Sequence, residues 1–190
     1  LTAFGAVPIG RAIRRDAAKP GDLIAVTGTL GDGALGLKVL QGDLIGLDVA
    51  DSAYLSSRYL LPQPRLTIGR KCADAYGRYA AMDISDGLAG DCRKICLASG
   101  VGMVFDKDLI PLSKAAMNAV NTDPALWASV LGGGDDYELL ICADQADIKT
   151  LGNDVTVIGK VTDQPGQVDL IGADKKIVEL ANDGFDHFKA

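Results

Sequence analysis

Residues 79–105 read YAAMDISDGLAGDCRKICLASGVGMVF, and this stretch decides the class of fold. Tyr79–Ile84 is a short apolar run with strand character. It is followed by Ser85-Asp86-Gly87, a turn, and then by Leu88–Ala98, where apolar residues recur at helical spacing. Gly100 stands where a helix would close in the left-handed conformation, and Val101–Phe105 resumes as a strand. Strand, helix and strand within 27 residues demand a sheet with helices laid on it.

Outward from this unit the same alternation continues, irregularly. Upstream, Pro20-Gly21-Asp22 turns into the strand Leu23–Thr27, and helices are expected over Asp32–Gln41, Tyr54–Leu60 and Leu66–Tyr76. The second of these stops at Pro62-Gln63-Pro64, because a proline cannot continue a helix. Ala6–Lys19, rich in Arg, reads as an arm or a first helix. Downstream, Ser113 is placed to cap a helix reaching Val120. Strands are expected at Tyr137–Ala143, Val155–Val161, Val168–Ile171 and Lys176–Leu180. The expected class is α+β, a layered mixed β-sheet packed with helices.

Composition narrows the function. The 190 residues carry a net charge of −6, which argues against a general nucleic-acid binder, since a phosphate backbone demands a basic footprint. No apolar run approaches the ~18 residues of a membrane span. All eight Arg fall at or before Arg93, and 23 of the 25 acids are Asp, so only clustered Asp carry information. Cys72, Cys92, Cys96 and Cys142 have no zinc-site spacing; they read as buried apolar residues in a reducing, cytoplasmic setting. With one His in the chain and no G-x-S-x-G, a Ser-His-Asp hydrolase is disfavoured. The chain begins Leu1-Thr2-Ala3, and is expected to be a piece of something longer.

Several clusters remain as candidate chemistry. Gly31-Asp32-Gly33-Ala34-Leu35-Gly36 matches G-x-G-x-x-G, but Asp32 would set a carboxylate beside a bound pyrophosphate, so a packing turn is favoured over a dinucleotide site. Asp83 and Asp86 flank Ser85 around one turn. Two carboxylates this close either share a hard cation such as Mg²⁺ with substrate phosphate, or one merely caps the following helix. Gly132-Gly133-Gly134-Asp135-Asp136 permits close backbone approach, with one acid directed at a ligand and the other capping or pairing; a plain glycine turn is the alternative. Arg11, Arg14, Arg15 and Lys19 form a basic run, with Arg11 and Arg15 on one face if helical. Gly184-Phe185-Asp186-His187-Phe188 ends the chain with an aromatic pair.

As an ordered set these segments resemble the C-terminal half of the thiamine-monophosphate kinase family, within the PurM-like (aminoimidazole ribonucleotide synthetase-related) superfamily. The pieces that carry the likeness are Ala18–Asp22, Val26–Gly31, Pro62–Arg65, Asp83–Leu88, Gly133–Leu139 and Gly184–Phe188. The resemblance implies a PurM C-terminal-domain-like fold over 1–190, and phosphorylation of thiamine monophosphate by ATP with Mg²⁺. It implies Asp83 and Asp86 as magnesium ligands, Arg15 and Ser85 as ATP contacts, and Asp135 and Phe185 as substrate contacts. Asp135 stands where the family usually has Glu, Phe185 where it often has Tyr or Trp, and Gly132 where it has Ser. The family's N-terminal domain, with most metal-binding acids and the homodimer interface, is absent from this chain, so the chain by itself is expected to be inactive. The alternatives are a sibling activity (hydrogenase maturation, selenophosphate or aminoimidazole ribonucleotide synthesis) or a non-catalytic fragment that binds nucleotide or a partner.

Overall fold

The structure, a computed structural model, describes residues 2, 4–75 and 77–172 and the backbone of 177–178. Phe185, His187 and Phe188 lie outside the described residues.

The strands are β1 (Leu23–Thr27), β2 (Ala80–Asp83), β3 (Gly102–Asp106), β4 (Leu139–Ala143), β5 (Val155–Thr162), β6 (Val168–Ile171) and β7 (Ile177–Val178). They form one sheet in the order β2-β4-β1-β5-β3-β6-β7. Every neighbouring pair is antiparallel except β3 with β6. The helices are α1 (Asp32–Gln41), α2 (Val49–Leu60), α3 (Leu66–Asp74), α4 (Leu88–Ser99), α5 (Lys114–Thr122), α6 (Trp127–Gly132) and α7 (Gln145–Leu151). The class is α+β, as the sequence predicts.

Both faces of the sheet are covered, which is why β1 and β4 read as nearly continuous apolar runs rather than alternating ones. On one face Ile24, Val26, Leu140 and Cys142 pack against Leu88, Cys92, Ile95 and Cys96 of α4. On the other, Ala25, Ile141 and Ala143 meet Ile68 and Cys72 of α3 and Ile148 and Leu151 of α7. Each large side chain buried this way contributes about 1.5–3 kcal/mol. All four cysteines are free thiols inside these layers. A third cluster holds no strand residue: Leu35, Leu55, Ala116, Ala119 and Val130 join α1, α2, α5 and α6.

Caps fix the helix ends. Asp48, Ser113 and Asp144 accept hydrogen bonds from the backbone N–H groups of Asp51, Ala116 and Asp147, starting α2, α5 and α7. Gly100 closes α4 in the left-handed region, as expected from its position. Three expectations need correction. Of the two readings of the 6–19 segment the arm holds and the helix does not: it is irregular chain with turns, joined to the β2 edge by a bridge between Arg14 and Ala80, so Arg11 and Arg15 share no helix face. The strand expected from Tyr137 begins at Leu139, because Asp135 and Tyr137 have positive φ. The short helices α6 and α7 lie in stretches where no helix was expected.

Candidate functional site

Three turns converge at one end of the sheet: β1 to α1, β2 to α4, and α6 to β4. Backbone bonds zip the last two together. Ile84 N–H donates to the Glu138 carbonyl (2.8 Å), Tyr137 N–H to Ile84 (2.9 Å) and Asp135 N–H to Ser85 (3.1 Å). The approach is too close for side chains. A Cβ on Gly134 would lie 2.1 Å from the Ser85 carbonyl oxygen, and one on Gly33 would lie 2.4 Å from that of Asp135. With φ of 69° at Asp135 and 53° at Tyr137, the turn points Asp135 outward and sends Asp136 into the interior. Asp tolerates this region; Tyr seldom adopts it, so the turn stores strain that its surroundings must hold.

Two cavities open around these turns. One, of about 530 Å³, is lined by Ala34, Lys38, Tyr59, Ser85, Asp86 and Asp135 among others. The other, of about 620 Å³, is lined by Arg14, Arg15, Met82, Asp83 and Ala98. The residues singled out in the sequence are thus divided: Ser85, Asp86 and Asp135 share one wall, while Arg15 and Asp83 share the other. Tyr137 O–H donates to Asp135 Oδ1 (3.1 Å) at the mouth of the first.

Behind the turns lies a buried polar layer that sequence reading missed. Glu138, fully buried, accepts from Thr27 Oγ1 (2.6 Å), Arg58 Nη2 (2.9 Å) and Arg65 Nε (2.6 Å). Asp32 accepts from Thr29 Oγ1 and Ser113 Oγ, both at 2.6 Å, and from Tyr54 O–H at 3.3 Å. Arg58 Nε lies 3.6 Å from Asp32, within ion-pair range but too far for a hydrogen bond, and this buried donor has no hydrogen-bond partner among the described residues. Asp136 accepts from the backbone N–H groups of Gly31 (2.7 Å) and Gly33 (2.9 Å). Burial pushes the Asp136 carboxyl up to about 7, against the pull of those two donors, with Asp32 and Glu138 adding repulsion. The G-x-G-x-x-G turn is therefore filled by the chain's own carboxylate, and the dinucleotide reading is excluded in favour of packing.

Neither Ser85 nor Asp86 caps α4 with its side chain. Instead Asp91, in the first turn of α4, accepts from the N–H groups of both Ser85 (2.9 Å) and Asp86 (3.0 Å), and from Lys94 Nζ (2.7 Å). Lys94 also pairs with Asp86. As hard-cation ligands the two acids differ. Asp83 is exposed at the end of β2, on the cavity wall that Arg15 also lines, and among the described residues its carboxylate makes no ion pair or hydrogen bond. Asp86 would have to exchange Lys94 for the cation. Among the described residues no group of three or more His, Cys, Asp or Glu gathers around a point. Asp83 and Asp86 line different cavities and form no all-protein cage; such a set fits only a cation held mainly by phosphate and water, with one or two carboxylates added. No helix among the described residues is long and apolar enough to cross a membrane.

Residues 19–171 match the family model of the AIR synthase related protein, C-terminal domain. The chain belongs to this family. Its fold is accordingly PurM C-terminal-domain-like. The chain is a homologue of thiamine-monophosphate kinases: it is 41% identical to that of Salmonella typhimurium over 196 residues, 99% of this chain and 59% of the kinase. The Escherichia coli K12 enzyme is likewise 41% identical, over 200 residues. The chain thus spans about three-fifths of the length of these relatives. Among solved structures, thiamine-monophosphate kinase from Stenotrophomonas maltophilia superposes with a TM-score of 0.76 at 36% identity, over 90% of this chain and 56% of that one. AaThiL complexed with AMPPCP and TMP gives 0.76 at 31% identity, over 93% and 54%. Escherichia coli HypE, at 22% identity and a TM-score of 0.72, shares the fold.

Proposed function

We propose that this chain is the C-terminal half of an enzyme that phosphorylates thiamine monophosphate to the diphosphate with ATP and Mg²⁺. The observation that carries the reading is the 41% identity to thiamine-monophosphate kinases across 99% of the chain. The relative that holds AMPPCP and TMP adds support for two ligands, a nucleotide analogue and a phosphorylated acceptor.

The chemistry suits the residues present. A phosphate monoester is already ionised near neutrality, so the acceptor needs no side-chain base. Transfer then rests on in-line positioning and charge neutralisation. Arg15 supplies a fixed cationic fork for nucleotide phosphate oxygens, and Ser85 a hydroxyl at the neighbouring wall. Asp83 and Asp86 would hold Mg²⁺, which offsets the charge of the polyphosphate. Asp135 faces the cationic thiazolium or accepts from the aminopyrimidine, and Phe185 is proposed to share that contact through its aromatic face. The homodimer interface and the remaining acids are assigned to the N-terminal domain of the family.

A chimera joining the N-terminal two-fifths of the Salmonella kinase to this chain tests the reading, with the 190-residue chain run alongside. Thiamine diphosphate formation is expected from the chimera, at ~1 s⁻¹ or more, and negligible from the chain by itself. Asp83→Asn in the chimera should abolish turnover with the circular dichroism melt intact. A folded chimera that binds both substrates without turnover overturns the assignment, and a melt lowered by Asp83→Asn with unchanged Mg²⁺ dependence removes Asp83 from the metal site.

A further inference from the structure

We propose that Asp136 is a positioning residue: its carboxyl group fills the N-terminal turn of α1, one oxygen on each of two backbone N–H groups, and so holds the Gly132–Tyr137 turn, with Asp135 on it, against the cavity wall. Its consequence for thiamine monophosphate rests on the function proposed above.

The geometry has three parts. First, Asp136 is 3% exposed and lines neither of the two cavities; both its oxygens are engaged, Oδ2 by Gly31 N–H at 2.7 Å and Oδ1 by Gly33 N–H at 2.9 Å. These are N–H groups that a helix start leaves without intrahelical partners, and a carboxyl oxygen set against each satisfies them. Second, its two neighbours have positive φ, so the turn needs an external restraint to stay in this conformation. A single side chain at its centre, tied at both oxygens, is that restraint. Third, the clamp closes a space with no slack. The Asp135 carbonyl sits where a Gly33 Cβ would be, and the Ser85 carbonyl where a Gly134 Cβ would be. A turn released from α1 would carry Asp135 off the wall that it shares with Ser85 and Asp86. Asp136 thus acts on the cavity through Asp135, without contact of its own.

Asparagine has the shape of aspartate but only one acceptor oxygen, so Asp136→Asn must leave one of the two N–H groups facing an amide donor. Backbone hydrogen exchange by NMR in the 190-residue chain reads the clamp directly. In Asp136→Asn, the amides of Gly31, Gly33 and Asp135 should lose protection by roughly tenfold or more, while those of the far strand β6 keep theirs relative to the global stability. Titration of thiamine monophosphate into the chimera reads the consequence. Its affinity should fall by roughly tenfold in Asp136→Asn, with AMPPCP affinity unchanged. If Asn proves too disruptive, Asp136→Ala with added formate is the second variant: formate should restore the protection of the Gly31 and Gly33 amides together with that of Asp135. Loss of overall stability with Asp135 protection and thiamine monophosphate affinity both retained overturns the clamp and leaves Asp136 a core residue. Should wild type bind no thiamine monophosphate, the functional reading fails by itself, and the exchange rates still judge Asp136.

Discussion

The titration of Asp136 sets a slope on stability that is open to measurement. Its folded value, raised to about 7 mainly by burial, lies above the usual carboxyl range of the unfolded chain, near 4. The folded protein therefore holds this proton over a range in which the unfolded chain has lost it. Stability from this group is complete below about pH 4 and declines as pH rises toward 7. Between pH 5 and pH 8 the decline is about 2–3 kcal/mol. Chemical denaturation at the two pH values should show it, and in Asp136→Asn the part due to this residue should vanish; an equal slope in both proteins would refute it. Residues of this kind are the ones the sequence hides. Ser85, Asp86 and Asp135 stand out because each sits in a turn whose own few residues announce it, and Asp83 because it ends the strand just before one. Asp136 finds its donors 105 and 103 positions away, and Glu138 meets Arg58 at a distance of 80. Asp91 was closer to legible: an acid in the first turn of a helix, reaching back to N–H groups just before it, is a local pattern.

At the scale of elements, the turn before β4 is as much a part of the site as any side chain. Gly134→Ala places a methyl 2.1 Å from a backbone oxygen that cannot step aside. A loss of about 1–3 kcal/mol is expected, the range for overpacking a closed space. Gly69→Ala is the control. It lies inside α3 with nothing within 4 Å of the added carbon, and should stabilise by about 0.4–1 kcal/mol. Urea midpoints for the two variants give the comparison, and a Gly134→Ala midpoint equal to wild type would show that the turn has room. The same turn explains where element reading erred. Apolar character carries back through Tyr137, but the backbone conformation there is not extended, and composition does not reveal a positive φ on a tyrosine. By contrast α1 and α4 were legible almost to the residue, since each has its breaker: Gly42 after one and Gly100 after the other. For the 6–19 segment the sequence left arm and helix both open, and its place along the β2 edge, bridged through Arg14 and Ala80, decides for the arm.

Across the whole molecule, the α+β class followed from the alternation of periods, but the sheet order did not. β1 lies between β4 and β5, strands far downstream, and nothing local to Leu23–Thr27 names those partners. The layering does have a consequence for chemistry carried out on the protein rather than by it. Three thiols, Cys92, Cys96 and Cys142, lie between α4 and the sheet, and Cys72 lies under α3 on the opposite face. Burial pushes all four upward, Cys96 to about 11, so no thiolate is offered to an alkylating reagent while the layers stay shut. Alkylation is then a clock for opening. Because Cys72 is 4% exposed while Cys92, Cys96 and Cys142 are fully buried, its cover has less to open, and Cys72 should be modified first when iodoacetamide is followed by mass spectrometry. Identical rates at all four positions would mean instead that the two faces come apart in one event.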